Sequence, residues 1–398
     1  MLLNNLYPNS CNRREFVLAT GLIIVGGISS CDKKTEVLKP IKKVVNKQKQ
    51  TLPDIRVRIG KNTNSVKIGN KSFFASSIGD EPKTIELKQS TKVVTDGKEK
   101  TISGTIILHP RTSESKKTLD VVAHISIEKY LPGVIAGELL SHWHPTTFAA
   151  QAIAARSYAV AQHLDRNTKS HFDVTDEPTS QVFLGDVTHD VAHRAVQETA
   201  GVVLRWNNKI IPAYYCACCG GIPALATDAI SGAEQHKIPP LSGHDNKDVC
   251  TSFDIHKWST TRLSRTFRKR LNGCAKKLNI PDLKDLRSIR VIEPLETNKH
   301  GRTTTLGIVD RRKKIIEMRA RDFIRAANSS VVRLPDPEKR LWSPFVVGQK
   351  MGSKLKFDGY GMGHGVGLCQ YGTQKLAGQG KSWHEILEWY YPQAEINS

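Results

Sequence analysis

The chain has 398 residues, 39% hydrophobic and 7% aromatic, enough to bury a sizeable core in two or three domains. Its 59 Lys and Arg against 38 Asp and Glu leave a net charge of +21, which favours polyanionic partners such as acidic glycans, teichoic-type polymers or anionic lipid headgroups. No RNP block, Cys2His2 finger spacing or basic zipper accompanies that charge, so nucleic acid is not an expected partner.

Arg13 and Arg14 precede an apolar segment over residues 16–30, too short for a comfortable membrane span, which reads as an export signal. Asn12-Arg13-Arg14-Glu15-Phe16-Val17 resembles a twin-arginine signal and Ile28-Ser29-Ser30-Cys31 a lipobox, making Cys31 the expected lipidated residue. Residues 32–53 are lysine-rich with no strong amphipathic period and read as a solvated basic tether. From Ile55 short alternating runs separated by Gly, Asn, Asp and Pro predict a β-rich region over residues 54–120.

A helix is predicted over Ile127–Leu140, with Pro132 near its start, and an alanine-rich helix over Thr146–Leu164 behind Pro145. Glu138 lies in the last turn of the first, among Leu139, Leu140 and Trp143. Poor solvation there disfavours the carboxylate and raises its pKa toward the range useful to a general acid. Arg156, on the small-residue face of the second helix, calls for a buried carboxylate partner or a substrate oxygen.

Of eight cysteines, Cys216, Cys218 and Cys219 cluster at a Gly-Gly turn and Cys250 follows later. Near-vicinal cysteines suit one metal better than several unstrained disulfides, with a Cys219–Cys250 disulfide as the rival. His236 and His244 are further ligand candidates, while Cys274 and Cys369 read as core cysteines. Residues 254–345 carry a basic amphipathic helix over Thr260–Leu271 and strands at SIRVIEP and TTTLGIVD. Near the end, Gly361, Gly363, Gly365 and Gly367 alternate around His364 without the order of a phosphate loop, which predicts backbone pressed against something bulky, a polysaccharide being one such object. A helix over Cys369–Ala377 follows, with Gln370 and Tyr371 in its first turn.

Ordered blocks of the chain resemble the SpoIID/LytB family: Glu138 to Ala159 ending AAQAIAARSYA, TSQVFLG (Thr179 to Gly185), AVQETAGVVLRWNNKIIPAYY (Ala195 to Tyr215), GYGMGHGVGLCQYGTQKLA (Gly359 to Ala377) and ILEWYYP (Ile386 to Pro392). Leu139-Leu140 departs from the usual Met-Pro. The resemblance implies action on bacterial cell-wall glycan, with Glu138 catalytic and Arg156, Tyr158, Gln181, His364, Gln370 and Tyr371 binding substrate. It also implies zinc at the cysteine turn, with Cys216 and Cys219 at family ligand positions, Cys250 and Cys218 completing the set, and Ile222 where a second His would stand.

The expected fold is α+β. Residues 1–31 are the signal, 32–53 the tether, 54–120 the β-rich part, 121–253 the mixed α/β core, 254–345 an insertion, and 346–398 the Gly-rich loop and helices that complete a groove. The expected activity is a lytic transglycosylase cutting between N-acetylmuramic acid and N-acetylglucosamine in peptide-free strands with one carboxylate, Asp173 and Asp176 being candidates for a second. The rival is a non-catalytic glycan-binding enhancer of a cell-wall amidase, and a metal-dependent hydrolase using the cysteine cluster is weaker. Either leading reading puts the protein in the envelope on the periplasmic side, anchored to the membrane.

Overall fold

The computed structural model describes residues 52–113, 116–245 and 248–397. The expected signal, Cys31 and the tether up to residue 51 lie outside them. The fold is α+β. Alternation of apolar and polar side chains produces a seven-stranded sheet ordered β3-β2-β4-β5-β6-β1-β7: β1 Asp54–Thr63, β2 Ser65–Ile68, β3 Lys71–Phe74, β4 Lys83–Thr95, β5 Lys98–Ser113, β6 Lys116–Ser126 and the short β7 Val174–Thr175. Ile55, Val57, Ile106, Leu108, Val121 and Ile125 turn inward from it.

That face is covered by α1 (Ile127–Glu138) and α2 (Pro145–Arg166). His144 caps α2, its Nδ1 accepting the Thr146 N–H at 3.2 Å, with Pro145 in the first turn. Ala149, Ala152, Ala155 and Ala159 pack on the sheet, while Ala150, Ile153 and Ala154 face a second core. The small residues thus let α2 lie buried between two layers.

After α3 (Asp190–Glu198), a small sheet of β8 (Val203–Trp206), β9 (Lys209–Ile210) and the C-terminal β18 (Glu395–Asn397) leads into β10 (Tyr215–Cys216) and the short α4 (Ala226–Ala229). The chain then builds a six-stranded sheet ordered β11-β16-β15-β12-β13-β14, from β11 Lys257–Leu263, β12 Val291–Thr297, β13 Thr303–Val309, β14 Ile315–Arg319, β15 Val346–Met351 and β16 Lys354–Tyr360. Helices α5 (Ser264–Leu278) and α6 (Ala320–Ala327) cover it over a separate core around Phe267, Phe323 and Phe357.

The helix expected over Thr260–Leu271 is corrected here. Residues up to Leu263 pair with β16 and the helix starts at Ser264, because the cross-strand partners of Thr260 and Arg262, Phe357 and Leu355, are far away in sequence. From β16 the chain returns to the first unit through the glycine-rich loop, β17 (Leu368–Cys369), α7 (Gln370–Gly378) and α8 (Trp383–Tyr390). Parallel pairing of Tyr215 with Leu368 and Cys216 with Cys369 joins the two halves. Among the described residues no helix is long and apolar enough to cross a membrane.

Candidate functional site

Glu138 is the last residue of α1, and the helix stops as Leu139 turns extended. Gly133 and Gly137 on the same helix let the Thr179–Gly185 segment lie against it: a Cβ at Gly133 would strike the Gly185 carbonyl oxygen, and one at Gly137 would sit 2.9 Å from Val182 Cγ1. That approach brings the Val182 N–H to Glu138 Oε1 at 2.9 Å. Tyr215 O–H reaches the same oxygen at 3.4 Å, and Gln370 Nε2 donates to Oε2 at 3.3 Å.

Behind Tyr215, the buried Gln181 donates to the tyrosine oxygen at 3.1 Å and to the Ala155 carbonyl at 3.2 Å, and accepts from Tyr130 O–H at 3.2 Å. This chain of donors leaves the Tyr215 proton for Glu138. Burial raises the Glu138 pKa, opposed by the hydrogen bonds from Val182, Gln370 and Tyr215. The Tyr215 phenol, itself pushed well up by burial, stays protonated as a donor.

An aromatic row passes through Tyr371, the residue that follows Gln370. Trp143 meets Tyr371 edge to face at 4.9 Å, and Tyr371 meets Phe253 at 5.1 Å. Gln374 Oε1 accepts from the His144 N–H and from Thr147 Oγ1, both at 2.9 Å, and fixes α7 on the start of α2.

The other residues singled out in the sequence separate into groups. Gln370 and Tyr371 lie at the carboxylate. Gln181 is behind it, too buried to reach a ligand. Tyr158 is half-buried, its ring 6.4 Å from that of Tyr215, and burial raises its phenol against a hydrogen bond to Ser180. Arg156 is corrected as a substrate-binding residue: it is fully buried, with Nε and Nη2 on the Glu128 carboxylate at 3.0 and 2.8 Å and further bonds to Val202 O, Val196 O and Thr199 Oγ1. Its partner is a carboxylate, as one of the two expectations had it, although Glu128 is 38% exposed rather than buried.

His364 is half-buried, accepting the Val366 N–H on Nδ1 at 3.0 Å and hydrogen-bonding the Tyr215 backbone. Burial and the nearby Arg302 hold it neutral, with its pKa lowered to about 4. The bulky object under the glycines is protein: a Cβ at Gly365 would collide with the Arg302 guanidinium, and one at Gly367 with the Tyr214 carbonyl. Asp173 is buried, accepting from Arg56 Nη2 at 2.5 Å and lying 3.0 Å from His163 Nδ1, while Asp176 pairs with Lys100 at 3.1 Å.

The cysteines form a buried cluster that could hold a metal, with a composition different from the expected set. Ligand atoms of Cys219, Asp248, Cys250 and Cys369 all lie within 4.8 Å of one another, with Cys219 Sγ 3.6 Å from Cys250 Sγ. Cys218 lies beside them, its thiol interacting with those of Cys250 and Cys369. Cys216 is outside the group; its Cβ packs on Gly363, it hydrogen-bonds the Gly365 backbone, and burial pushes its thiol up to about 12. Cys369, expected in the core, takes its place, and no disulfide forms among the described cysteines.

His236 instead bonds the Tyr214 hydroxyl at 3.0 Å, and His244 Nε2 lies 3.4 Å from Asp248 Oδ2, one step behind the cluster. Arg302 is buried next to these thiols, with Nη1 donating to Cys219 O and Ile222 O and no carboxylate partner among the described residues. Sequence reasoning missed Tyr215, Asp248 and Arg302; the only local signal was the spacing of Asp248 two residues before Cys250, where its Oδ1 accepts the Cys250 N–H at 2.7 Å.

Residues 115–206, which hold Glu138 and the loop that binds it, match the family model for the stage II sporulation protein SpoIID. These residues form a SpoIID domain, which places this part of the chain in the SpoIID/LytB family. Residues 222–367, the six-stranded sheet and its approaches, match a domain of unknown function, DUF8618. Similar proteins include the amidase enhancer of Bacillus subtilis, 27% identical over 297 residues, 67% of this chain and 40% of that protein. Stage II sporulation protein D of Bacillus amyloliquefaciens is 26% identical over 297 residues, 69% of this chain and 75% of that protein. An uncharacterized protein of Brachyspira hyodysenteriae is 29% identical over 281 residues, 70% of this chain and 68% of that protein. The match therefore spans well under half the length of the amidase enhancer. Cys369, Gln370 and Tyr371 fall outside both matched segments.

Proposed function

We propose that the protein is a lytic transglycosylase of peptidoglycan glycan strands and that Glu138 is its single acid and base. The observation that carries this is a poorly solvated carboxylate with three donors, Val182 N–H, Tyr215 O–H and Gln370 Nε2, aimed at its two oxygens. Ordinary glycosidases use two carboxylates, one to protonate the leaving oxygen and one as nucleophile or to activate water. Asp173 and Asp176 are committed to Arg56 and Lys100, which favours a one-carboxylate route.

In that route the protonated Glu138, favoured by burial, gives its proton to the glycosidic oxygen between N-acetylmuramic acid and N-acetylglucosamine. The resulting carboxylate is held by the three donors and then accepts the proton of the muramyl C6 hydroxyl as that oxygen closes the 1,6-anhydro ring at C1. The partly exposed Tyr371 and Phe253, with Trp143 buried behind Tyr371, offer ring surface on which sugar can stack. Strands freed of peptide stems are the proposed substrate, and the proposed location is the cell envelope, with the protein exported and lipidated at Cys31.

Zinc fits the cysteine cluster. Thiolates bound at ~2.3 Å in a tetrahedral site stand ~3.8 Å apart, close to the 3.6 Å between Cys219 and Cys250 Sγ. The buried, carboxylate-free Arg302 is the counter-charge that an anionic metal–thiolate group needs. Cys219, Cys250, Cys369 and either Asp248 or Cys218 would hold the ion, which supplies cross-linking rather than chemistry. Cys369 immediately precedes Gln370, so the cluster would fix a donor to Glu138.

Mass spectrometry of products from peptide-free glycan strands tests the reading. Wild type should release anhydromuramyl ends and Glu138→Gln ~100- to 10,000-fold fewer in the same time. Reducing ends would mean hydrolysis. The second reading, a non-catalytic enhancer of a cell-wall amidase, is favoured by the name of the Bacillus subtilis relative, and intact strands that still bind the protein would favour it over the first.

A further inference from the structure

The end of the six-stranded sheet farthest from Glu138 carries a feature that the glycan reading does not use. Antiparallel pairing gathers there the segment before β12, the β13–β14 turn, and the β15–β16 turn: the Arg290 N–H bonds Val309 O at 2.8 Å, Arg311 N–H bonds Ser288 Oγ at 3.2 Å, and Lys350 N–H bonds Arg290 O at 2.9 Å. The start of α5 joins them through Ser264 N–H on Ser353 O at 3.0 Å.

Arg287, Arg290, Arg311, Arg312, Lys350 and Lys354 meet on this end, and none of them forms an ion pair among the described residues. The acids nearby are outnumbered: Asp282 pairs with Lys314 at 2.8 Å and Asp358 with Lys356 at 3.1 Å, Asp310 accepts the Arg312 and Lys314 N–H groups of its own turn, and Asp285 and Asp310 both act on Lys314.

Among these cations stand large apolar side chains in water. Met351 at the β15–β16 turn is 58% exposed, Leu263 across Lys354 from it 56%, and Ile315 at the start of β14 48%. Cations alone would suit any polyanion. Cations mixed with exposed apolar side chains on turn tips suit a surface with a charged plane over a hydrocarbon layer, since a soluble polymer makes no use of the apolar groups.

We infer that this end of the sheet is a docking surface for an anionic lipid bilayer. Strand β16 starts at Lys354 in the basic tip and ends at Tyr360, which leads directly into the glycine-rich loop, so docking would hold that loop away from the headgroups by up to the strand's length, roughly 20 Å at ~3.3 Å per residue. The inference is independent of the chemistry assigned to Glu138.

Hydrogen–deuterium exchange of the full chain reconstituted in vesicles tests it, because the readout is local to the turns and blind to the N-terminal segment. With 30% phosphatidylglycerol in phosphatidylcholine, peptides covering 311–315 and 350–356 should exchange roughly tenfold more slowly than in pure phosphatidylcholine. Arg311→Glu with Lys350→Glu should return them to the phosphatidylcholine rate. Met351→Ser should weaken protection about threefold and Met351→Leu restore it, with unchanged tryptophan fluorescence as the control for folding. Equal exchange in the two vesicle types would overturn the inference. So would protection by soluble polyphosphate that matches the vesicles and ignores Met351→Ser, which would mark a polyanion site instead.

Discussion

Gln370 Nε2 lies 3.3 Å from Glu138 Oε2, although the two residues are 232 positions apart. The contact joins the end of α1 to the start of α7 and sets the acid's chemistry, because a donor to the carboxylate opposes the rise that burial imposes. Replacing Gln370 by Leu removes that opposition. The alkaline limb of the rate, where Glu138 loses its proton, should therefore move to higher pH. Tyr215→Phe should move it in the same direction. Glu138→Gln should lower the rate by ~100- to 10,000-fold at every pH, the usual worth of a general acid. A pH profile of anhydromuramyl release for the three variants checks this, and an alkaline limb that stays fixed in Gln370→Leu would remove Glu138 from the titrating role.

Arg156 should prove to be a residue of the fold. Its guanidinium is fully buried and shared between Glu128, two carbonyls and Thr199. Arg156→Met leaves those acceptors without donors and should cost about 3 kcal/mol in denaturant unfolding. At a temperature where the variant is folded, its KM for glycan should match wild type. A raised KM with unchanged stability would return Arg156 to the groove.

Asp173 makes a pH-dependent contribution to stability. Burial alone would raise its pKa, but the Arg56 side chain and N–H and His163 outweigh burial and hold it below the usual carboxylate range. A carboxyl depressed on folding stabilises at pH above its unfolded value, ~3.9, and loses that contribution as pH falls through the folded value. Asp173→Asn should therefore destabilise the protein at pH 7 and converge with wild type in chemical denaturation below about pH 3. Its transglycosylase activity should persist while it is folded, since Asp173 faces Arg56 rather than Glu138.

How far the sequence could be read depended on the range of each interaction. The strands up to residue 120 and the helices carrying Glu138 and Arg156 follow from local alternation and period; the helix ends are shifted by one or two residues, while β6 runs on to Ser126, six residues past the expected end of the β-rich part. The strand Lys257–Leu263 was hidden because TTRLSRTFRKRL has helical spacing, and only its pairing with β16 decides the first four residues. The candidate metal cluster was only half legible for the same reason, Cys219 and Cys250 being in it and Asp248 and Cys369 not foreseen. C-A-C-C looks like a local ligand group, yet the parallel pairing of Cys216 with Cys369 delivers a distant thiol while the glycine loop claims Cys216. Tyr215 as the second side-chain donor to Glu138 depended on Gln181, whose role appears only when the Thr179–Gly185 segment folds onto α1.

The cysteine cluster gives the last prediction. If Cys369 is a ligand and Cys216 is packing, Cys369→Ser should abolish stoichiometric zinc, read by metal analysis of the purified protein and by loss of protection of the remaining thiols against alkylation. Cys216→Ser should keep the zinc and lose only packing. His244 lies behind Asp248 at 3.4 Å, where a group that orients a ligand is worth ~10- to 100-fold in metal affinity. His244→Ala should therefore bind zinc more weakly by that factor if Asp248 is a ligand, and with unchanged affinity if Cys218 takes the fourth position. Because Cys369 precedes Gln370, removal of the ion with a chelator should also shift the alkaline limb of the glycan reaction in the direction of Gln370→Leu. Retention of the wild-type profile in the metal-free protein would show that α7 holds Gln370 without help from the cluster.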